Sequence, residues 1–290
     1  MKVEFVEQPQ QRGTGDAVTC ALSSMTALDA GEEDVIVVPG DTPLLRPRTM
    51  SKLLERHRSH DLAATLVTAE LEDPTGYGRI LRSGGDRVIG VVEHVDATAE
   101  QRDIGEVNTS IYCFRRSLLA PALRRLSPSN AQGEYYLTDV IGVLSDLGHR
   151  MEALVLDDPT EASGVNDRAQ LAAAEAELRR RINHAWMRAG VTMTNPDAVF
   201  IDTSVALGAD VTLLPGVVLA GTTTIGEGCT IGPNARLVDT FVGRGATVGV
   251  VDATGAAVGA DAVVGSFVVL ERGSSVAEAE AVAPFSHRSD

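Results

Sequence analysis

Basic residues are scarce in this sequence. There are 25 lysines and arginines against 40 aspartates and glutamates, a formal net charge of −15, and the only lysines are Lys2 and Lys52. Such a surface repels polyanions, which argues against nucleic acid or an anionic membrane as a general partner. No apolar run reaches about 18 residues, so no transmembrane helix is predicted. The first residues also lack the apolar segment of a secretory signal.

Cysteines and aromatic residues are few as well. Cys20, Cys113 and Cys229 lie far apart in the sequence, which argues against a disulfide framework and excludes a Cys-x-x-Cys metal site. We therefore expect a reducing, cytosolic compartment. Aromatic residues make up only 4% of the chain, but 44% of residues are hydrophobic. A sizeable core built mainly from small side chains is the expectation.

Residues 1–157 alternate short apolar runs with helix-like stretches, a pattern that favours an α/β fold with a mainly parallel sheet. The predicted strands are Asp34–Val38, Ala64–Leu71, Arg87–Val92, Val107–Phe114 and Glu152–Leu156. The predicted helices lie near Asp16–Leu28, Thr49–Ser59, Arg116–Leu126 and Thr138–Leu147. A long polar helix is then predicted from Asp167 to Ala189, with Asn166 as its N-cap and Gly190 as its stop.

A repeat of six residues begins at Ile201. Large apolar residues recur at Ile201, Leu207, Leu213, Leu219, Ile225, Ile231 and Leu237. Neither the helix period of 3.6 nor the strand period of 2 keeps register over such steps, so the pattern indicates a hexapeptide-repeat parallel β-helix. The step shortens by one residue at Val242, and a longer insert is expected before Val258. We expect the coils to stop near Leu270 and the tail, 283–290, to be frayed.

Three segments of the first half contain residues suited to ligand binding, each with a simpler alternative. Gly13-Thr14-Gly15 precedes a helix, where backbone N–H groups bind nucleotides or simply form the entry turn. Asp41 follows a predicted strand, at the end where open α/β sheets bind ligands, although turn residues are also often aspartate. The segment Asp73–Ile80 has two glycines around Tyr77, which suits either close approach of a substrate or an ordinary hairpin loop.

These and four further segments occur in a characteristic order. They are Gly13-Thr14-Gly15, Gly40-Asp41-x-Pro-Leu44, Asp73–Ile80, Val92-Glu93-His94-x-Asp96-Ala97, Glu106-Val-Asn108-Thr109, Asn130-Ala-Gln-Gly-Glu-Tyr-Tyr136 and Gly164-Val165-Asn166. Together with the long helix and the hexapeptide repeat, they resemble the bifunctional N-acetylglucosamine-1-phosphate uridylyltransferase / glucosamine-1-phosphate acetyltransferase family. The resemblance covers nearly the whole chain.

The resemblance implies a fold, a reaction and a set of roles. The fold would be a partial Rossmann-like nucleotidyltransferase domain at 1–166, a linker helix at 167–190 and a short left-handed parallel β-helix at 191–290. The reaction would transfer UMP from UTP to N-acetylglucosamine 1-phosphate, giving pyrophosphate and UDP-N-acetylglucosamine, a cell-wall precursor. Gln8, Gly13 and Thr14 would hold uracil; Gly78, Glu93, Asn108 and Thr109 would hold the sugar; Asp41 and Asn166 would bind Mg²⁺. One carboxylate and one amide oxygen suit that hard cation.

The sequence also departs from that family. Its glycine-rich loop, Leu-Ala-Ala-Gly-x-Gly-Thr-Arg-Met followed by Pro-Lys, does not occur in the 290 residues. Because this loop carries the catalytic arginine and lysine, we assign no catalytic residue and expect weak or absent UMP transfer. The family's acetyltransferase site is also missing, so acetyl transfer is not expected. The resemblance further implies a homotrimer, with Val218, Phe241 and Val251 as exposed apolar positions. Two alternatives stay open: a non-catalytic trimeric scaffold, and a nucleotidyltransferase for another sugar.

Overall fold

The computed structural model describes residues 3–25 and 33–289, and the chain divides into two compact units, Met1–Asn166 and Asp167–Asp290. Residues 26–28, predicted as the end of the first helix, lie outside the described residues. Across the described ranges, no helix combines the length and apolar character that a membrane crossing requires.

The first unit is a six-stranded sheet with helices on both faces. Its helices are α1 Thr14–Ser24, α2 Pro47–Ser59, α3 Ala99–Arg102, α4 Arg116–Leu123 and α5 Asp139–Asp146. Its strands are β1 Asp34–Val37, β2 Ala64–Glu70, β3 Arg79–Arg82, β4 Val88–Val92, β5 Glu106–Arg115 and β6 Met151–Val155, ordered β4-β3-β5-β2-β6 with β1 also on β5. Residues of α2 pack on one face of β2 and β5, and residues of α4 and α5 pack on the other.

The expectation of a mainly parallel sheet was wrong. Strand β5 runs antiparallel to β1, β2 and β3, and β2 with β6 is the one parallel pair between the strands described for this unit. Strand β3 begins at Arg79, inside the segment Asp73–Ile80 that was interpreted as a loop. Only residues 83–87 separate β3 from β4. That connection is too short for a parallel crossover, which takes a dozen residues or more, so the two strands form an antiparallel hairpin.

The second unit opens with helix α6, Arg168–Arg188. Its N-cap is Asp167, whose carboxylate accepts a hydrogen bond from the backbone N–H of Gln170 at 2.7 Å, rather than the predicted Asn166. An aspartate at this position satisfies an N–H group that has no partner within the helix. Ile182 and Trp186 pack against the core of the following repeats.

The repeats form a parallel β-helix with three sheets. One sheet holds β7 Thr192–Met193, β10 Thr212–Leu213, β13 Thr230–Ile231, β16 Thr247–Val248, β19 Val263–Val264 and β22 Ala281–Val282. The second holds β8 Phe200–Ile201, β11 Val218–Ala220, β14 Arg236–Val238, β17 Val251–Thr254, β20 Val268–Leu270 and β23 His287–Arg288. The third holds β9 Ala206–Leu207, β12 Thr224–Ile225, β15 Phe241–Val242, β18 Ala257–Val258 and β21 Ser275–Val276.

Three expectations about the repeats need correction. The stretch between Val248 and Val258 is not an insert, because β17 pairs with β14 and β20 there and Ala253 takes the fully buried inward position. Because alanine is small, the sequence shows no large apolar residue at this inward position, and the pattern of large apolar residues therefore does not indicate this side of the coil. Val251 is also buried rather than exposed, since alternate residues of a strand share a face. The coils continue past Leu270 through β23, which pairs with β20, so the tail forms part of the solenoid.

Glycine at the coil corners is required by close approach of the next coil. A Cβ atom at Gly226 would lie 2.5 Å from the backbone nitrogen of Arg244 and 2.9 Å from its Cα atom. Gly226 also donates its N–H to the carbonyl oxygen of Val242 at 2.8 Å, which holds the two coils together. Because the obstacle is backbone, it cannot move aside as a side-chain tip does.

We therefore expect Gly226→Ala to destabilise the β-helix by about 1–3 kcal/mol, the usual cost of overpacking. Denaturant unfolding followed by the fluorescence of Trp186, the single tryptophan, reports on this unit. Glu227→Ala, at the exposed neighbouring position, is the matched control and should stay within about ±0.5 kcal/mol. Equal unfolding midpoints for the two variants would contradict the close-approach explanation.

Candidate functional site

The first unit contains a pocket of about 560 Å³. Its walls come from α1, the end of β1, the loop after β4, β5 and the segment that leads into α5. The lining residues used below are Thr14, Glu93, Ser110, Tyr112, Tyr136 and Thr138. A cavity of this size suits a small-molecule ligand.

The glycine turn forms one wall through backbone contacts with the segment before α5. Gly13 has φ of 107°, and a Cβ there would lie 2.6 Å from the carbonyl oxygen of Tyr135. Gly15 donates its N–H to that carbonyl oxygen, and Tyr135 donates its own N–H to the carbonyl oxygen of Arg12, both at 2.8 Å. Thr14 accepts a hydrogen bond from the N–H of Leu137 at 3.0 Å. Only glycine permits this approach, so we call residues 12–15 with 135–137 the glycine clasp.

Gln8 lies beside the clasp without lining the pocket. Its Nε2 donates to the carbonyl oxygen of Gly13 at 3.2 Å and to the Asp16 carboxylate at 2.8 Å. The structure therefore brings together all three residues expected to hold uracil, although only Thr14 of the three faces the pocket. Asp16 also pairs with Arg12 at 3.0 Å, so this arginine already has an anionic partner.

Three of the four residues expected to hold the sugar also converge. A Cβ atom built at Gly78 would lie 3.2 Å from Oε2 of Glu93 and 3.5 Å from Cβ of Asn108. The N–H of Asn108 donates to the carbonyl oxygen of Gly78 at 2.8 Å. The Nδ2 of Asn108 donates to the hydroxyl of Tyr112 at 2.8 Å. A carboxylate, an amide and a glycine backbone thus meet in one place, suited to a ligand rich in hydroxyl and amide groups.

Thr109 is the exception among these residues. Its hydroxyl donates to the carbonyl oxygen of Val67 at 2.7 Å, inside the sheet. Of the four residues, Glu93 lines the pocket, and Gly78, Asn108 and Thr109 do not. The pairing of β2 with β5 shifts register after Val67, and Ser110 has φ of 60°. This bulge turns Thr109 toward β2.

Sequence reasoning named Thr14 and Glu93 among the residues of the pocket lining; Tyr136 and Thr138 are among those that it missed. Both are buried and line the pocket, and the hydroxyl of Thr138 donates to Glu93 at 2.9 Å. The segment Gln132–Asp139 is conspicuous in the sequence for its polar groups directly before a helix, but that composition does not indicate which side chains face inward.

Electrostatics at Glu93 are unusual. Burial raises the pKa of its carboxyl group, and the nearby carboxylates of Asp139 and Asp96 raise it further, against the lowering effect of the hydrogen bond from Thr138. Burial likewise raises the pKa of Asp139. The protein therefore disfavours a negative charge at Glu93 unless a ligand supplies hydrogen-bond donors.

Asp41 and Asn166 lie together although 125 positions separate them. A Cβ at Gly164 would be 3.5 Å from Oδ2 of Asp41 and 3.9 Å from Nδ2 of Asn166. The N–H of Val165 donates to the carbonyl oxygen of Asp41 at 2.9 Å, which joins the two segments. Both side chains are exposed, and a carboxylate with an amide oxygen is a donor set that suits Mg²⁺ with its remaining ligands from water and phosphate.

Arg79 is held away from the pocket. Only 1% of its surface is exposed, its guanidinium donates to the carbonyl oxygens of Tyr77 and Arg102, and Nη2 lies 3.5 Å from His94. This arginine stabilises the loop around Gly78. The described pocket lining contains no lysine or arginine.

Comparisons with known proteins give matches in both units of the chain. A family model described as nucleotidyl transferase matches residues 1–190, and one described as bacterial transferase hexapeptide (six repeats) matches 204–238. Among curated relatives, "Bifunctional protein GlmU" of Mycolicibacterium vanbaalenii is 46% identical over 283 residues, covering 98% of this chain and 57% of the relative. The same-named protein of Cutibacterium acnes is 45% identical over 273 residues, covering 92% and 64%.

The chain thus spans 57% and 64% of the lengths of these two relatives. A solved structure titled as UDP-glucose pyrophosphorylase complexed with UDP-glucose matches with a TM-score of 0.46 at 14% identity, over 61% of this chain and 66% of the other. That similarity is too low to bear on function.

The charge on Glu93 predicts a pH dependence of stability. Because its pKa is raised in the folded state, its stabilising contribution is complete below the ordinary glutamate pKa and is lost as pH rises through the raised value. Glutamine cannot ionise, so Glu93→Gln does not lose this contribution. The melting temperature of Glu93→Gln minus that of the unchanged chain should therefore increase between about pH 4 and pH 7. Near-UV circular dichroism follows this unit, which contains all four tyrosines.

Thr138→Val provides a second variant for the same measurement. It removes the hydrogen bond that lowers the Glu93 pKa, so its stability should fall more steeply with rising pH than that of the unchanged chain. Parallel curves for Glu93→Gln and the unchanged chain would show that Glu93 ionises normally in the folded protein.

Proposed function

We propose that this chain, which belongs to the nucleotidyl transferase family and carries bacterial transferase hexapeptide repeats in its second unit, functions in the transfer of UMP from UTP to N-acetylglucosamine 1-phosphate. The products would be UDP-N-acetylglucosamine and pyrophosphate. Similarity to the bifunctional GlmU proteins over 92–98% of the chain supports this substrate pair.

One observation carries the proposal: the pocket is lined both by Thr14 of the glycine clasp and by Glu93, beside which Gly78 lies with its hydrogen-bond partner Asn108. In the proposed complex the uracil ring lies at the clasp, where Thr14 faces the pocket. The sugar lies at the other group, where the Glu93 carboxylate accepts from a hydroxyl and the Asn108 amide contacts the N-acetyl group. Thr138 lies beside Glu93 and, in this proposal, takes the place assigned to Thr109 from the resemblance.

The proposed reaction does not need a general base. The attacking oxygen belongs to a sugar phosphate that is already ionised, so catalysis rests on positioning and on neutralising the phosphates. Asp41 and Asn166 would hold Mg²⁺, which when bound supplies charge neutralisation. The residues of the pocket orient the base and the sugar so that the phosphates meet in line.

The experiment is pyrophosphate release from UTP and N-acetylglucosamine 1-phosphate with Mg²⁺. We expect weak or no release by residues 1–290, because the glycine-rich motif with its arginine and lysine does not occur in them. A protein extended upstream by a segment bearing Gly-x-Gly-Thr-Arg-Met and Pro-Lys should react at least about 10²-fold faster, the scale of one transition-state donor.

Asp41→Asn in the extended protein is the control and should abolish that gain. If another sugar 1-phosphate reacts faster in the same assay, that sugar phosphate, and not N-acetylglucosamine 1-phosphate, is the substrate. Failure of both proteins to bind UTP or UDP-N-acetylglucosamine would favour a non-catalytic scaffold. Full turnover by residues 1–290 would mean that a cation such as Arg12 leaves its partner to neutralise the phosphates.

We also propose that the β-helix assembles as a homotrimer. The support is its apolar outer surface: Phe241 is 54% exposed, and Val218 is partly exposed. Light scattering at micromolar concentration should give three times the chain mass of 30.5 kDa. Phe241→Lys should lower that mass if this face is shared, because a charge in an apolar interface is costly. A stable monomer of the unchanged chain would contradict the proposal.

A further inference from the structure

Two segments distant in sequence meet at one buried carboxylate. The first segment follows β1 and runs from Asp41 into α2. The second, residues 158–166, includes a short 3-10 turn, Pro159–Ala162, and ends at Asn166. Glu161 in that turn is 2% exposed, which is rare for a glutamate unless it has partners.

The partners of Glu161 all come from the first segment. Its Oε2 accepts from the hydroxyl of Thr49 at 2.5 Å and from the backbone N–H of Arg46 at 3.2 Å. Its Oε1 lies 3.5 Å from Nε of Arg46 and 3.8 Å from Nη2 of Arg48. Two guanidinium groups and two hydrogen-bond donors thus compensate one buried charge.

The contact is reinforced on either side of Glu161. Arg46 also pairs with Asp158 at 2.5 Å, at the beginning of the second segment. At its end, Val165 donates its N–H to the carbonyl oxygen of Asp41 at 2.9 Å. The second segment is therefore fixed at three points along the first. Asn166 directly follows Val165, at the end of the segment that these contacts hold.

Glu161 has little room to bind a ligand itself. The cavity beside it, lined by Arg48, Thr49 and Lys52 among others, has a volume of about 50 Å³. That space holds a water molecule or two but no nucleotide or sugar. The carboxylate is therefore committed to the contacts between the segments.

We propose that Glu161 is a positioning residue, which through Thr49 and Arg46 holds Asn166 opposite Asp41 and so sets the affinity of that pair for a divalent cation. This inference rests on the proposed function, because it takes Asp41 and Asn166 as the cation ligands. Partners that hydrogen-bond a metal's ligands directly fix the geometry of those ligands, and their loss typically costs 10- to 100-fold in affinity. Glu161 acts one step further out, through the segment that carries Asn166, so we expect the lower end of that range.

The test is Mn²⁺ binding to the full chain with UDP-N-acetylglucosamine, measured by electron paramagnetic resonance of free Mn²⁺ and corrected with a titration that contains no protein. Mn²⁺ prefers the same oxygen ligands as Mg²⁺. Glu161→Gln should weaken Mn²⁺ binding by about 10-fold. Glu152→Gln is the matched control: Glu152 is also buried and has two side-chain partners, His60 and Arg150, but it lies in β6 away from both segments.

A matched pair at Thr49 separates the hydrogen bond from packing. Thr49→Ser keeps the hydroxyl and loses a methyl group, whereas Thr49→Val keeps the shape and loses the hydroxyl. Positioning by Glu161 requires the serine variant to bind Mn²⁺ nearly as the unchanged chain does and the valine variant to bind it more weakly. A purely packing role gives the reverse order. This pair also decides the matter if Glu161→Gln fails to fold.

The outcomes distinguish the positioning role of Glu161 from the cation site itself. If the unchanged chain binds Mn²⁺ and both Glu161→Gln and Thr49→Val bind it equally well, the positioning role is wrong and the cation site stands. If Asp41→Asn in the same chain also leaves Mn²⁺ binding unchanged, Asp41 is not a ligand, and the proposed cation site fails together with the role of Glu161.

Discussion

The glycine clasp is the contact on which the pocket depends. Tyr135 exchanges backbone hydrogen bonds with Arg12 and Gly15 at 2.8 Å, at a distance that leaves no space for a Cβ atom on Gly13. Because these bonds join α1 to the segment before α5, they also fix where Tyr136 and Thr138 enter the pocket. Glu93 then receives its hydrogen bond from Thr138, so the wall at the glycine turn and the wall at Glu93 are set by one piece of backbone.

The fold was predictable where one residue type repeats for one physical reason. Inward positions of the β-helix must be apolar, so a step of six residues is visible from Ile201 onward. The shortened step to Val242 was still visible. The repeat was lost where the inward residue is as small as Ala253 and the steps to Ala253 and Val258 shorten to five, and again past Leu270, where the coils were expected to stop. Strand direction in the first unit has no such signature. Apolar runs mark a buried strand but carry no information about whether its neighbour runs parallel to it.

The candidate site shows the same division between what sequence does and does not encode. Asp41 and Asn166 were expected to meet because the resemblance makes both of them ligands of one cation. Thr109 could not be placed from its sequence, because the bulge after Val67 that turns its hydroxyl into the sheet depends on pairing between distant strands. Glu161 carried no signal at all, since a glutamate in a polar segment is usually exposed.

The pocket offers phosphate groups no cation among the residues described in its walls. Glu93 and Glu134 are among the residues described in its walls, and no lysine or arginine is. Phosphate groups in such a place are repelled unless cations accompany them. Arg12 and Arg79 do not meet the need, because Asp16 and backbone carbonyl oxygens already hold their guanidinium groups. If the pocket binds a nucleotide as proposed, the phosphates need a cation from outside these walls. In that proposal the divalent cation at Asp41 and Asn166 supplies the charge, and Glu161 acts on binding by positioning Asn166.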